Sequence, residues 1–300
     1  YEGTAIHKKN GYYYLFVSGG HCCLGLNSTY EVHVGRSKSL KGPYVNRWGR
    51  DLMDIDMSNS GLPELTSSAA FPGPGHNDVV SFEDGSDWIV YHSYVPEKGG
   101  FLEDGPPRRV LMIDRIAWDD NDWPVIGDDG KPSKTAVAPG GDYPEVEGDM
   151  VASVHDADEG TYRLVNKNSD KRLEVADAGT GDGASVQQNS AAEGDAEHQQ
   201  WTITMTDTGT CRVEAVHSGK ALCVKGGTVE QPTTLVQREW ADDRDQHWKI
   251  MANTDGTYRL INLKSGRSVD VLEKSTEDGA DVIQWDYWGG ANQMWTFEPV

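Results

Sequence analysis

The chain has 300 residues, with 48 Asp and Glu against 27 Lys and Arg and a formal net charge of −21. This balance excludes a nucleic-acid partner, whose phosphates need Lys and Arg, and an anionic membrane surface. No run approaches the ~20 apolar residues that span a bilayer, and 34 glycines, 10 tryptophans and 12 tyrosines with little helical periodicity point to an all-β chain rich in turns.

The chain opens "YEGTAIHKKNGYYYLFVSGG", without Met, charged leader or apolar signal segment, and with Glu2 ahead of an early hydrophobic strand, which leaves open whether this is the start or the middle of a protein. Strands are expected at "GYYYLFVS" (11–18), "YEVHVGRS" (30–37), "HNDVVSF" (76–82), "DWIVYHSYV" (87–95) and "RRVLMIDRIAWDD" (108–120), then "DWPVI". They make at most two four-stranded groups, like blades of a propeller, and two blades alone leave open edges. The adjacent Cys22 and Cys23 are poorly placed to bond each other. The acidic runs "DDNDWPVIGDD", "DADEG" and "ADDRD" are interleaved with strands, which describes a solvated acidic surface and not a tail. Salt screens the self-repulsion of such a surface, so a salt-loving host is expected, with an ordinary acidic secreted protein as the alternative.

The motifs "YEG", "GGHCCLGLNSTYEVHVGRS", "KGPYV", "GPGHNDVV", "IVYHSY" and "RRVLMIDRIAWDDNDWP" resemble glycoside hydrolase family 43, and most of all its endo-1,5-α-L-arabinanases. Their order matches the last two blades of that five-bladed β-propeller, over about residues 1–130. The stretch "MSNSGLPELTSSAAF" departs from the family by lacking a glycine cluster. The resemblance implies three acidic residues around the scissile bond: an Asp as general base, an Asp that tunes and positions, and a Glu as general acid. Glu2 matches the acid; neither Asp has a counterpart here. The resemblance also places His76 on the propeller axis beside calcium or sodium, with no organic cofactor. Without it, Glu2 is an exposed carboxylate at a chain end and His76 a hydrogen-bonded imidazole. His92 and His21 read as structural. No HExxH, CxxC, P-loop or GxSxG pattern occurs.

Residues 137–149, "VAPGGDYPEVEGD", are rich in Pro, Gly and acid and read as a linker, with 139–148 as its body. The expected domains are therefore 1–138, part of a propeller, and 149–300.

The second domain repeats itself. "HQQW", "DQHW" and "NQMW" end at Trp201, Trp248 and Trp295, 47 residues apart each time, and the openings "GTYRLVN", "GTCRVEA" and "GTYRLIN" recur in step. Four short strands per repeat and three repeats suggest closure into one β structure, with the Trp residues in a shared core and the Gln amides holding turns. Cys211 and Cys223 flank a predicted hairpin and could pair. The triple Gln-x-Trp pattern resembles the ricin B-type lectin domain, the β-trefoil of carbohydrate-binding module family 13. That family holds one sugar per repeat, on an acidic residue, an aromatic platform and an Asn or Gln. The third repeat carries all parts: Asp270, Trp285, Asn292 and Gln293. The first keeps Glu174 but has Asn189 for the platform and His198 for the Asn, so it is at best a weak site. The second has Cys223 and Arg238 at the acidic and platform positions, with Trp240 two residues on, and reads as inactive.

The fold expected is thus all-β, a partial five-bladed β-propeller followed by a β-trefoil. The function implied is inverting hydrolysis of plant cell-wall arabinan by a secreted, monomeric enzyme that the trefoil tethers to polysaccharide, with xylan or arabinoxylan as other substrates. The chain as given lacks the base. Two alternatives stand: a carbohydrate-binding protein with an inactive propeller remnant, and a family 43 arabinofuranosidase or xylosidase.

Overall fold

A computed structural model describes residues 1–53, 63–103, 105–136, 138 and 156–300. The expected linker at 139–148 and the stretch 57–62 lie outside the described residues. The chain divides into two compact units, Tyr1–Val154 and His155–Val300.

The first unit is built on two antiparallel sheets. One joins β1 (Glu2–Lys9), β2 (Tyr12–Gly19) and β3 (Glu31–Ser37) in that order. The other joins β4 (Gly75–Ser81), β5 (Asp87–Ser93), β6 (Val110–Trp118) and β7 (Pro124–Ile126). Among the described residues the first sheet has these three strands, and β3 also makes single bridges, Arg36 with Val45 and Val32 with Leu65. Pro43 beside Val45 has no N–H for a ladder, so the pairing there stays short. Alternate residues Tyr14 and Phe16 of β2, Val32 and Val34 of β3, and Ile89 and Tyr91 of β5 turn inward to one core. β6 turns Leu111 and Ile113 to solvent, 79% and 45% exposed.

Gly3 lets β1 approach β4. Its φ is +58°, and a Cβ there would lie 2.6 Å from the His76 Cα. Ser18 completes the junction: it donates to Asn77 Oδ1 at 2.9 Å and accepts from the His76 N–H at 2.8 Å.

The second unit holds twelve strands. The first repeat supplies β8 (Gly160–Asn166), β9 (Arg172–Val175), β10 (Val186–Asn189) and β11 (Trp201–Met205). The second supplies β12 (Cys211–Ala215), β13 (Lys220–Val224), β14 (Thr233–Arg238) and β15 (Trp248–Ala252). The third supplies β16 (Tyr258–Asn262), β17 (Ser268–Val271), β18 (Ala280–Trp285) and β19 (Trp295–Pro299). The outer strands of the repeats pair in a ring, β8–β11–β12–β15–β16–β19 and back to β8, which leaves the barrel no free edge. The inner strands form three hairpins that meet one another through β10–β18, β14–β18 and a Ser185–Val236 bridge. This is a β-trefoil.

Each Gln-x-Trp acts as the repeat pattern requires. Trp201, Trp248 and Trp295 are fully buried, and their indole N–H groups donate to the carbonyls of Leu173, Leu222 and Val269 at 2.9, 3.0 and 3.3 Å. Gln246 donates to the Glu239 carbonyl and accepts from the Ala241 N–H, both at 2.8 Å, and Gln293 does the same with Asp286 and Trp288 at 2.9 Å each. A second set, Gln188, Gln237 and Gln284, reaches across: each amide donates to two loop carbonyls of a neighbouring repeat.

The cysteines reverse the expectation. Cys22 and Cys23 form a disulfide, and Cys211 and Cys223 are free and buried. The latter two part because Cys211 lies on the barrel opposite Trp248, while Cys223 lies in the hairpin opposite Val236.

Candidate functional site

Two sites emerge, one in each unit. In the first unit, Glu2 opens β1 and Tyr30 immediately precedes β3. The Tyr30 hydroxyl donates to Glu2 Oε1 at 2.6 Å. The Tyr30 ring lies flat on His92 of β5, with centroids 5.6 Å apart and planes 17° off parallel, and His92 in turn stacks on His76 of β4 at 6.2 Å. Arg109, just before β6, places Nη1 3.1 Å from His92 Nε2. Burial, and then the charges of Arg109 and His76, hold the His92 imidazole down at about 4, so it is neutral at ordinary pH. Burial and the Glu2 carboxylate push the Tyr30 phenol well above its usual value, which keeps it a donor. Gly75 makes room for the stack, since a Cβ there would lie 2.2 Å from the Tyr30 ring.

This arrangement orients one carboxylate with a phenol backed by two imidazoles. Sequence reasoning placed Glu2 and His76 but treated His92 as structural and passed over Tyr30 and Arg109. Tyr30 was visible inside "STYEVHVGRS" as an aromatic next to a strand start; nothing in the sequence joined it to residue 2. His21 lies apart, its carbonyl accepting from the Ser28 hydroxyl at 2.7 Å.

For a calcium or sodium ion, the donor set around His76 is poor. A hard cation takes several oxygens, whereas His76 offers one nitrogen and faces a second imidazole. Among the described residues no three His, Cys, Asp or Glu gather as metal ligands. No step is routed through an ion.

In the trefoil, Asp270 of β17, Trp285 at the end of β18, and Asn292 line one cleft of about 440 Å³. That size suits a small ligand, for which sites run to roughly 300–1,000 Å³. Asn292 Nδ2 donates to Asp270 Oδ1 at 3.0 Å and to the Val271 carbonyl at 3.1 Å, which leaves its own Oδ1 buried and without a partner. Burial pushes the Asp270 carboxyl up to about 6, against the pull of the Gln293 and Asn292 amides and of Lys274. Trp285 stays 37% exposed, its face available. A carboxylate beside an exposed aromatic ring suits a sugar, with hydroxyls on one face and C–H groups on the other.

The other repeats fill their equivalents with their own side chains. Glu174 Oε1 accepts from Gln187 at 2.8 Å and Asn189 at 2.9 Å, and its Oε2 accepts from Gln199 at 2.7 Å. His198 stands 3.6 Å from the same Oε2. A sugar there would have to displace these donors. In the second repeat, Arg238 at the platform position pairs with Asp243 at 3.0 Å and Asp245 at 3.3 Å. Burial pushes the Cys223 thiol to about 12, and Trp240 is taken up by Arg212, 5.2 Å from its ring centre.

Residues 1–124 match the family Glycosyl hydrolases family 43, and 151–238, 197–285 and 244–300 match the Ricin-type beta-trefoil lectin domain-like family. The chain belongs to that trefoil lectin-like family through its second half, and its first 124 residues are similar to glycosyl hydrolase family 43. Among its relatives, the extracellular exo-α-(1→5)-L-arabinofuranosidase ArbA of Cellvibrio japonicus is 35% identical over 125 residues, 42% of this chain and 33% of that protein. The extracellular endo-α-(1→5)-L-arabinanase 1 of Bacillus subtilis is 33% identical over 123 residues, 41% of this chain and 33% of that protein. The chain thus spans about a third of the length of these relatives. Among solved structures, the designed threefold-symmetric protein ThreeFoil is 38% identical, covering 47% of this chain and 100% of its own length, with a TM-score of 0.46.

Proposed function

We propose that the chain forms part of a secreted glycoside hydrolase that cleaves α-1,5-linked arabinan with inversion, and that its trefoil holds the enzyme on polysaccharide. The observation that carries this reading is the Glu2 carboxylate fixed by Tyr30 inside family 43 sequence. Glu2 would protonate the leaving glycosidic oxygen. A second carboxylate, some 6.5–9.5 Å away, would take a proton from the attacking water. That base would come from the part of the family's catalytic domain that the 124 matched residues do not include. Tyr30 is a positioning residue for Glu2. The trefoil raises local substrate concentration without adding chemistry.

Secretion is supported by the word extracellular in the names of both relatives above. The net charge of −21 supports a salt-adapted surface and favours a neutral glycan over an acidic one.

The test is hydrolysis of linear arabinan by the longest form of the protein that its gene encodes. Glu2→Gln removes the transferable proton and should abolish turnover, while Tyr30→Phe should slow it about tenfold, the worth of one hydrogen bond to a charged group. Full activity in Glu2→Gln would overturn the assignment. The products separate the readings: internal cleavage marks an endo-arabinanase, and single sugars from chain ends mark an arabinofuranosidase or, on xylan, a xylosidase. Binding without any cleavage would leave a carbohydrate-binding protein.

A further inference from the structure

Two tryptophans stand exposed beside the same cleft, Trp285 at 37% and Trp288 at 43%. The second lies outside the expected sugar pocket, and its side chain has no role in the trefoil core. The Trp288 N–H donates to Gln293 Oε1 at 2.9 Å, and the matching N–H groups on Gln199 and Gln246 come from Ala192 and Ala241 at 3.0 and 2.8 Å. The fold therefore needs only the backbone at this position. The indole appears in the one repeat whose acidic residue keeps an open cleft in front of it.

The ring is also held in place before any ligand arrives. It packs over Gly290, where a Cβ would lie 2.2 Å from Trp288 Cζ2, and Lys274 Nζ sits 4.3 Å from its centre. A fixed indole exposed beside a polar pocket offers a stacking face at little entropic cost. Lys274 is balanced by Asp270 and its neighbour Glu273, so the cleft holds no spare positive charge for an acidic sugar.

We propose that Trp288 is a second stacking wall, which lets the third-repeat cleft hold two consecutive neutral sugar units where Asp270 and Trp285 alone would hold one. This inference rests on the sugar-binding reading of that cleft.

The experiment is calorimetric titration of the full chain with arabinose and α-1,5-arabinobiose, xylose and xylobiose, and galactose and lactose. At least one disaccharide should bind about tenfold tighter than its monosaccharide, equivalent to ~1.4 kcal/mol. Trp288→Ala should lower that disaccharide's affinity about tenfold more than the monosaccharide's, and Trp288→Phe should restore most of it. Equal losses for both ligands, no loss for either, or a disaccharide no tighter than its monosaccharide would overturn the inference alone. If the wild type binds none of these probes, or if binding survives Asp270→Ala, the sugar-site reading falls and takes the inference with it.

Discussion

Asp270 is the residue on which pH should act. Its carboxyl sits at about 6, pushed up by burial. Sugar hydroxyls donate to the ionised form, so protonation removes the acceptor, and affinity should fall as pH drops through 6. Titrations at about pH 7.5 and pH 5 check this, and an affinity flat across that range would show that Asp270 does not bond the ligand. The same scale shows what the sequence could and could not reveal. That Asp270, Trp285 and Asn292 line one cleft was legible through the lectin resemblance, with three copies in register to compare. The filling of the first site was not. Glu174 looks like a candidate acid until Gln187, Asn189 and Gln199 are seen to converge on it. Likewise Tyr30, His92 and Arg109 lie far apart in the chain, and only the pairing of β4, β5 and β6 brings the last two beside Tyr30 and Glu2.

Among the elements, β5 carries the anchor of the first unit. Asp87 at its start lies 3.3 Å from His7 Nε2 and 2.7 Å from Lys9 Nζ on β1, and accepts from Ser81 of β4 at 2.6 Å and from the indole of Trp118 on β6 at 2.9 Å. Burial pushes its carboxyl up, but the hydrogen bonds from His7, Lys9, Ser81 and Trp118 outweigh it and hold the group well below the usual carboxylate value. An acid depressed in this way stabilises the fold above its unfolded value, about 4, and loses that contribution as pH falls through its folded value. Asp87→Ala should therefore cost about 3–5 kcal/mol near neutral pH, by leaving buried donors unpaired, and less at pH 3. Urea unfolding at both pH values measures it, and an equal cost at the two would mean that charge is not the cause. Strand existence was readable from alternation in "YYYLFVS" and "YEVHVGRS". The bridges of β3 to Val45 and Leu65 were not, because they depend on which loop reaches the edge of β3.

At the scale of the whole molecule the dominant quantity is the net charge of −21. Raising sodium chloride from about 0.01 M to about 1 M shortens the screening length from roughly 30 Å to roughly 3 Å. The melting temperature should rise over that range as self-repulsion is removed. A flat or falling melting temperature would dispose of salt adaptation. Family and architecture were legible at this scale because the 47-residue spacing of Trp201, Trp248 and Trp295 counts the repeats directly.

The barrel ring has one further consequence, for the order of events at synthesis. Its last joint is β19 against β8, with Trp295 opposite Asn166 and Pro299 opposite Tyr162. A ribosome delivers β8 first and β19 last, so the first strand waits through the translation of all three repeats for one of its two neighbours. Such a long-range closure is slow to form. The trefoil should therefore complete its fold only once β19 has left the ribosome, and until then the edge of β8 that β19 will cover stays open to other strands.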